Sequence, residues 1–214
     1  MSNNQSDCGI TLASHPPADI AGSTVPLGVY ANTVVGNTAS MNGLKGEGAG
    51  VGLFASAPGT KVYGNIVVNN TLIGNDLPGI AVHGHTPQQN LDNNVFIGNH
   101  ISGNGPDTDD AYTPAPAGIM FLSVSPVAGT VIAQNVIDTE GIGVAWNAPG
   151  EARIQRNSFS GGIGIYNFGA GTVNAEGNWW GCLGGPIGLS AAFAGCATTY
   201  GPVTINTWAS QALK

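Results

Sequence analysis

Apolar residues in this chain come in short bursts closed by Gly or Asn, and no stretch sustains the 3.6-residue spacing of an amphipathic helix. Five bursts share a Gly-apolar-x-apolar form: Gly50-Val51-Gly52-Leu53, Gly79-Ile80-Ala81-Val82, Gly118-Ile119-Met120-Phe121, Gly141-Ile142-Gly143-Val144 and Gly162-Ile163-Gly164-Ile165. Each is followed 15 to 17 residues later by an Asn inside a second short apolar pattern, namely Asn65, Asn94, Asn135, Asn157 and Asn178, and Asn32 extends the series. An apolar or small residue stands three before each Asn (Val29, Val62, Leu91, Ile132, Ile154, Ala175). Another stands two after (Val34, Val67, Phe96, Ile137, Phe159, Trp180). Short strands bent at Gly and Asn account for both features.

Successive Asn residues of this series lie 33, 29, 41, 22 and 21 apart, which fits a coil of 21 to 23 residues lengthened by loop insertions in its early turns. Stacked coils of short strands at about 4.8 Å make a parallel β-helix, where equivalent Asn side chains hydrogen-bond up the stack and Asn tolerates left-handed backbone at the bend. The chain resembles the bacterial right-handed parallel β-helix repeat proteins, related to the pectate-lyase-like superfamily. The closing run Gly177-Asn178-Trp179-Trp180-Gly181-Cys182-Leu183-Gly184-Gly185-Pro186 is also similar to the end of such domains. The expected architecture is all-β, a right-handed parallel β-helix of about six or more coils with a C-terminal cap. Its expected parts are an N-terminal segment (1–27), the repeats (28–186) and a cap or tail (187–214).

Composition agrees with a solenoid: 34 of 214 residues are Gly, and only 8% are charged. The net charge of −7, with Lys and Arg confined to Lys45, Lys61, Arg153, Arg156 and Lys214, excludes a phosphate-tracking nucleic-acid surface. No apolar run has the length of a membrane helix. Cys182 and Cys196 lie 14 apart and are expected to form a disulfide, whose loop closure contributes about 3 kcal/mol; two buried free thiols are the alternative. Cys8 has no sequence neighbour to pair with. The disulfide and the low charge point to an extracellular or cell-surface protein, although no leader is legible at the N-terminus.

Candidate chemistry is sparse. With Ile80 and Val82 inward, the outward positions of the Gly-led strand stack as Gly52, Ala81, Met120, Gly143 and Gly164, flanked by Phe54, His83, Leu122, Ala145 and Tyr166. That face lacks the carboxylate clusters a Ca²⁺-dependent lyase of this family would need. His83 and His85 alternate on one strand and project together, which makes them candidates for acid/base or metal chemistry. Arg153 is the candidate catalytic Arg. Asp107, Asp109 and Asp110 form the one acidic cluster, expected in an exposed loop that holds Ca²⁺. Trp146, Tyr166 and Trp180 are candidate sugar-stacking rings.

These observations predict a secreted, non-catalytic β-helix domain with a structural, adhesive or assembly role, including filament formation. Its expected contacts are self-association through coil ends or an apolar face and, secondarily, a glycan. No cofactor is required, and Ca²⁺ is the one candidate ion. The alternative is a polysaccharide lyase or hydrolase, or a carbohydrate-binding module, of the same fold.

Overall fold

The structure is a computed structural model that describes residues 1–15, 28–108, 111, 113–186 and 195–213. Every strand pairing in it is parallel. The longest sheet stacks Ile10–Ser14, Val51–Ala55, Ile80–Gly84, Ala117–Ser123, Ile142–Asn147, Ile163–Asn167 and Thr198–Tyr200. A second sheet stacks Thr33–Val35, Ile66–Val68, Val95–Ile97, Val127–Ala133, Gly150–Gln155, Thr172–Asn174 and Val203–Thr204. A third runs from Thr38–Ser40 through Thr71–Ile73, His100–Ser102 and Val136–Asp138 to Ser158–Phe159, and Gly28–Tyr30 pairs with Lys61–Tyr63. The chain therefore winds as a right-handed parallel β-helix, as the repeat implies. The coil stack includes Ile10–Ser14 at one end and Thr198–Thr204 at the other.

Inward side chains form continuous columns, because each coil places the same position above its neighbour. Leu53, Val82, Phe121 and Trp146 stand in register on the first sheet, and Val34, Val67, Phe96, Ile132 and Ile154 on the second. On the third, Ala39, Leu72, Ile101, Ile137 and Phe159 align, and Trp180 packs on Phe159 at a ring-centroid distance of 5.2 Å. All belong to one core.

Polar ladders turn the corners, and among the described residues there are three of them. The first links Asn32, Asn65 and Asn94. The second links Asn37, Asn70, Asn99, Asn135, Asn157 and Asn178. The third links Asn42, Asn75 and Asn104 and ends on Glu140. In each Asn–Asn step the backbone N–H and Nδ2 of one Asn both donate to Oδ1 of the next, as Asn99 does to Asn135 at 2.9 Å for each bond. The single series expected from the sequence thus crosses from the first ladder to the second between Asn94 and Asn135. Asn135 sits above Asn99, 36 residues earlier. The left-handed residue is also not the ladder Asn but the one before it: Gly64, Asn69 and Gly74 precede Asn65, Asn70 and Asn75 with φ of 62°, 54° and 64°.

The Gly-led alignment needs one further correction. Ile119 pairs with Val144 and Met120 with Ala145, so Gly118 aligns with Gly143 rather than Gly141, two residues from the expected register. The glycine row runs Gly9, Gly50, Gly79, Gly118, Gly143, Gly164. A Cβ added at Gly50, Gly79, Gly118 or Gly143 would stand 2.6 to 2.9 Å from the carbonyl oxygen of the next glycine in the row. Gly143 and Gly164 consequently face inward, against Phe159 and Trp180, and not outward as strict alternation implies. The outward column on that sheet is Gly52, Ala81, Met120, Ala145, Tyr166 and Tyr200.

Candidate functional site

The insertion after Asn104 is what gives the first sheet a distinctive outward face. It closes on itself: Asp107 N–H donates to Thr113 Oγ1 at 2.7 Å, Thr113 N–H returns to the Asp107 carbonyl at 2.9 Å, and Ala111 N–H donates to Asp107 Oδ1 at 3.2 Å. Ala111 and Ala115 then pack on Ala117, Met120, Ile142 and Ala145, so this loop lies down on the sheet. The Asp107 carboxylate points inward beneath it. Its Oδ2 lies 2.7 Å from His83 Nε2, with both residues essentially without solvent contact.

His83 projects outward between Phe54 on the preceding coil and Leu122 on the following one. The Phe54 ring lies 5.3 Å away, and His85, exposed two residues on, meets His83 edge-on at 5.5 Å. The expectation that both imidazoles share a face therefore corresponds to the geometry. The acidic loop is not the exposed structure expected from its composition: Asp107 is buried against an imidazole, which satisfies a carboxylate that water would otherwise solvate. Asp109 and Asp110 lie outside the described residues.

Other candidates are placed elsewhere. Arg153 is exposed on the second sheet, in register with Val131 and Asn174, and does not share a face with His83. His100 is on the third sheet and pairs with Asp138 at 3.2 Å. Trp146 and Trp180 are fully buried in the core, where their size fills the width of the last coils, and they present no ring face to a sugar. Tyr166 is partly exposed and stacks on Phe168 at 4.8 Å, with Tyr200 edge-on at 5.8 Å. Cys182 and Cys196 form the expected disulfide, and Cys8 is free and buried, its thiol accepting from Ala49 N–H at 3.3 Å while burial pushes its pKa up.

A different surface stands out on the second sheet. Apart from Thr33 in the first coil, its outward residues over four coils are Val35, Ile66, Val68, Val95, Ile97, Val131 and Ala133, all exposed or partly exposed, with Arg153 entering at the fifth coil. This sheet is thus apolar on both sides, against the usual alternation of a half-buried strand. The sequence carried a signal for it in the unbroken runs Ile66-Val67-Val68, Val95-Phe96-Ile97 and Val131-Ile132-Ala133. Outward reading of the Gly-led strands alone missed it.

A family model described as "Periplasmic copper-binding protein (NosD)" matches residues 3–185. The chain belongs to this family. No curated protein and no solved structure matches it. The NosD description names copper, for which imidazole and sulfur donors must converge. Among the described residues no group of three or more His, Cys, Asp or Glu side chains does so. Nor is any helix among them long and apolar enough to cross a membrane. The described His, Cys and carboxylate side chains of this NosD-family chain therefore do not fit a resident copper ion.

Proposed function

We propose that this chain is a non-catalytic periplasmic domain that assembles through the outward apolar face of its second sheet. The observation that carries the reading is that face: seven Val, Ile and Ala side chains in register over four coils, on a protein with few charges elsewhere. Contiguous exposed apolar surface of this kind marks interaction sites. A periplasmic setting is supported by the family description and by the Cys182–Cys196 disulfide, which persists in oxidising compartments. A catalytic reading has less support, since His83 is closed in by Asp107 while Arg153 lies on another sheet.

Assembly with further copies of this chain is the form of the reading we favour, because a second copy offers the same apolar rows at the same coil spacing. Sedimentation velocity and negative-stain microscopy over a concentration series test it. Ordered oligomers or filaments are expected for the native chain and are lost in the double variant Ile66→Lys, Ile97→Lys. A native chain that stays monomeric at every concentration overturns the self-assembly reading. A second reading, carbohydrate binding, rests on the Tyr166, Phe168 and Tyr200 cluster; glycan retention that survives Tyr166→Ala and Phe168→Ala overturns it.

A further inference from the structure

The imidazole and sulfur donors of this chain can be accounted for completely. The sequence has four His, three Cys and three Met, and every one of them falls among the described residues. A cuprous ion needs thiolate, thioether or imidazole donors brought together. The protein disperses them. Cys182 and Cys196 are joined to each other, and Cys8 is buried at the start of the first coil, beside Ala49, Leu77 and Ala81. Met120 is buried in the cluster under the insertion, Met41 is exposed at a corner of the first coil, and Met1 is exposed beside the same corner, its carbonyl accepting from Ser40 N–H at 3.0 Å. His100 faces Asp138 on the third sheet, and His15 follows the strand Ile10–Ser14, whose partner strand Val51–Ala55 separates it from the strand of His83.

Among the imidazoles, His83 and His85 approach each other, with ring centroids 5.5 Å apart. His83 is almost completely buried, and its Nε2 is held at 2.7 Å by the Asp107 carboxylate, itself without solvent contact. Capturing an ion there means either pulling His83 off Asp107, which takes the imidazole from a buried carboxylate, or lifting the insertion that covers it. Among the described residues, neither route gains a third His, Cys, Asp or Glu donor.

We infer that this member of a family described as copper-binding holds no cuprous ion of its own. The test is an anaerobic titration of the full, disulfide-intact chain with Cu(I) in the presence of a coloured cuprous chelator. Thiol counting beforehand should give one free thiol, Cys8. The expected result is that the chelator keeps all its copper at every protein concentration, and that His85→Ala and Cys8→Ser leave this unchanged. Withdrawal of one equivalent of copper by the native chain overturns the inference, and loss of that withdrawal in either variant would locate the site. Because the readout is competition for copper, it does not depend on whether the chain oligomerises.

Discussion

Asn104 directs both its backbone N–H and its Nδ2 to one oxygen, Oε1 of Glu140, at 3.0 and 2.9 Å, while Oε2 of that carboxyl is buried without a hydrogen-bond partner. Glu140 stands where the third ladder would place another Asn. Burial, reinforced by the nearby Asp138, holds its pKa above the ordinary carboxylate value despite the two bonds from Asn104. A raised folded-state pKa means the folded chain binds the proton more tightly than the unfolded chain. Stability therefore falls as pH rises from the usual carboxylate range toward the raised value, then levels off.

Glu140→Gln removes that charge and keeps an acceptor for Asn104. The variant should melt higher than the native chain at pH 7, by on the order of 2 °C, and no higher at pH 4, where Glu140 is protonated. Thermal melts at the two pH values check this; parallel curves for the two proteins at all pH values would sink the account.

Position along a ladder should set the cost of losing an Asn. Asn135 accepts from Asn99 and donates Nδ2 to Asn157 Oδ1 and the Phe96 carbonyl, all buried. Asn32 is exposed at the end of its ladder. Asn135→Ala should cost about 3–5 kcal/mol by denaturant unfolding, since several buried groups lose partners together, and Asn32→Ala about 1 kcal/mol or less. Equal costs would mean the ladders do not stabilise the coil stack.

The glycine row predicts a steric effect with an internal control. A Cβ at Gly143 would lie 2.5 Å from the Phe159 ring and 2.6 Å from the Gly164 carbonyl, whereas one at Gly184 meets nothing within 4 Å. Gly143→Ala should lose about 1–3 kcal/mol, and Gly184→Ala should change stability by roughly half a kcal/mol or less.

Removing the imidazole from the His83–Asp107 pair should unfasten the insertion without unwinding the helix. In His83→Ala the Asp107 carboxylate is left buried, and the loop that carries it is the element able to bring it to water. Limited proteolysis should then cut within residues 104–116, while circular dichroism remains that of the native fold. A variant as resistant to protease as the native chain would show that the apolar contacts of Ala111 and Ala115 hold the loop alone.

The fold was legible because two residue types report directly on coil geometry: Gly where the backbone of the next coil leaves no room, and Asn where an amide can bond both ways along the stack. Their register was harder to read. Asn65, Asn70 and Asn75 are five residues apart, and each matches the same local pattern, so nothing local says which one a later Asn should align with. The slip at Asn135 follows from that degeneracy, and the slip at Gly141 from the Gly-Ile-Gly repeat, which fits two registers equally. The His83–Asp107 contact was illegible for another reason. It joins a strand to an insertion 24 residues later, and an Asp among Gly, Pro and Thr reads as solvated until a buried imidazole is seen beside it.

The ladders also give the rod a direction. Each Asn–Asn link donates from the earlier coil to the Oδ1 of the later one, while Nδ2 of the later Asn also donates back to a backbone carbonyl of the earlier coil, so the same set of bonds closes each border along the second ladder. Along the second ladder, successive coils are thereby interchangeable at their borders. A duplicated coil inserted in mid-stack would find its hydrogen bonds answered above and below, and a deleted one would leave neighbours that still match. Length in such a protein can drift by whole turns while the faces keep their chemistry, and the number of coils is free to follow the size of what the rod must span.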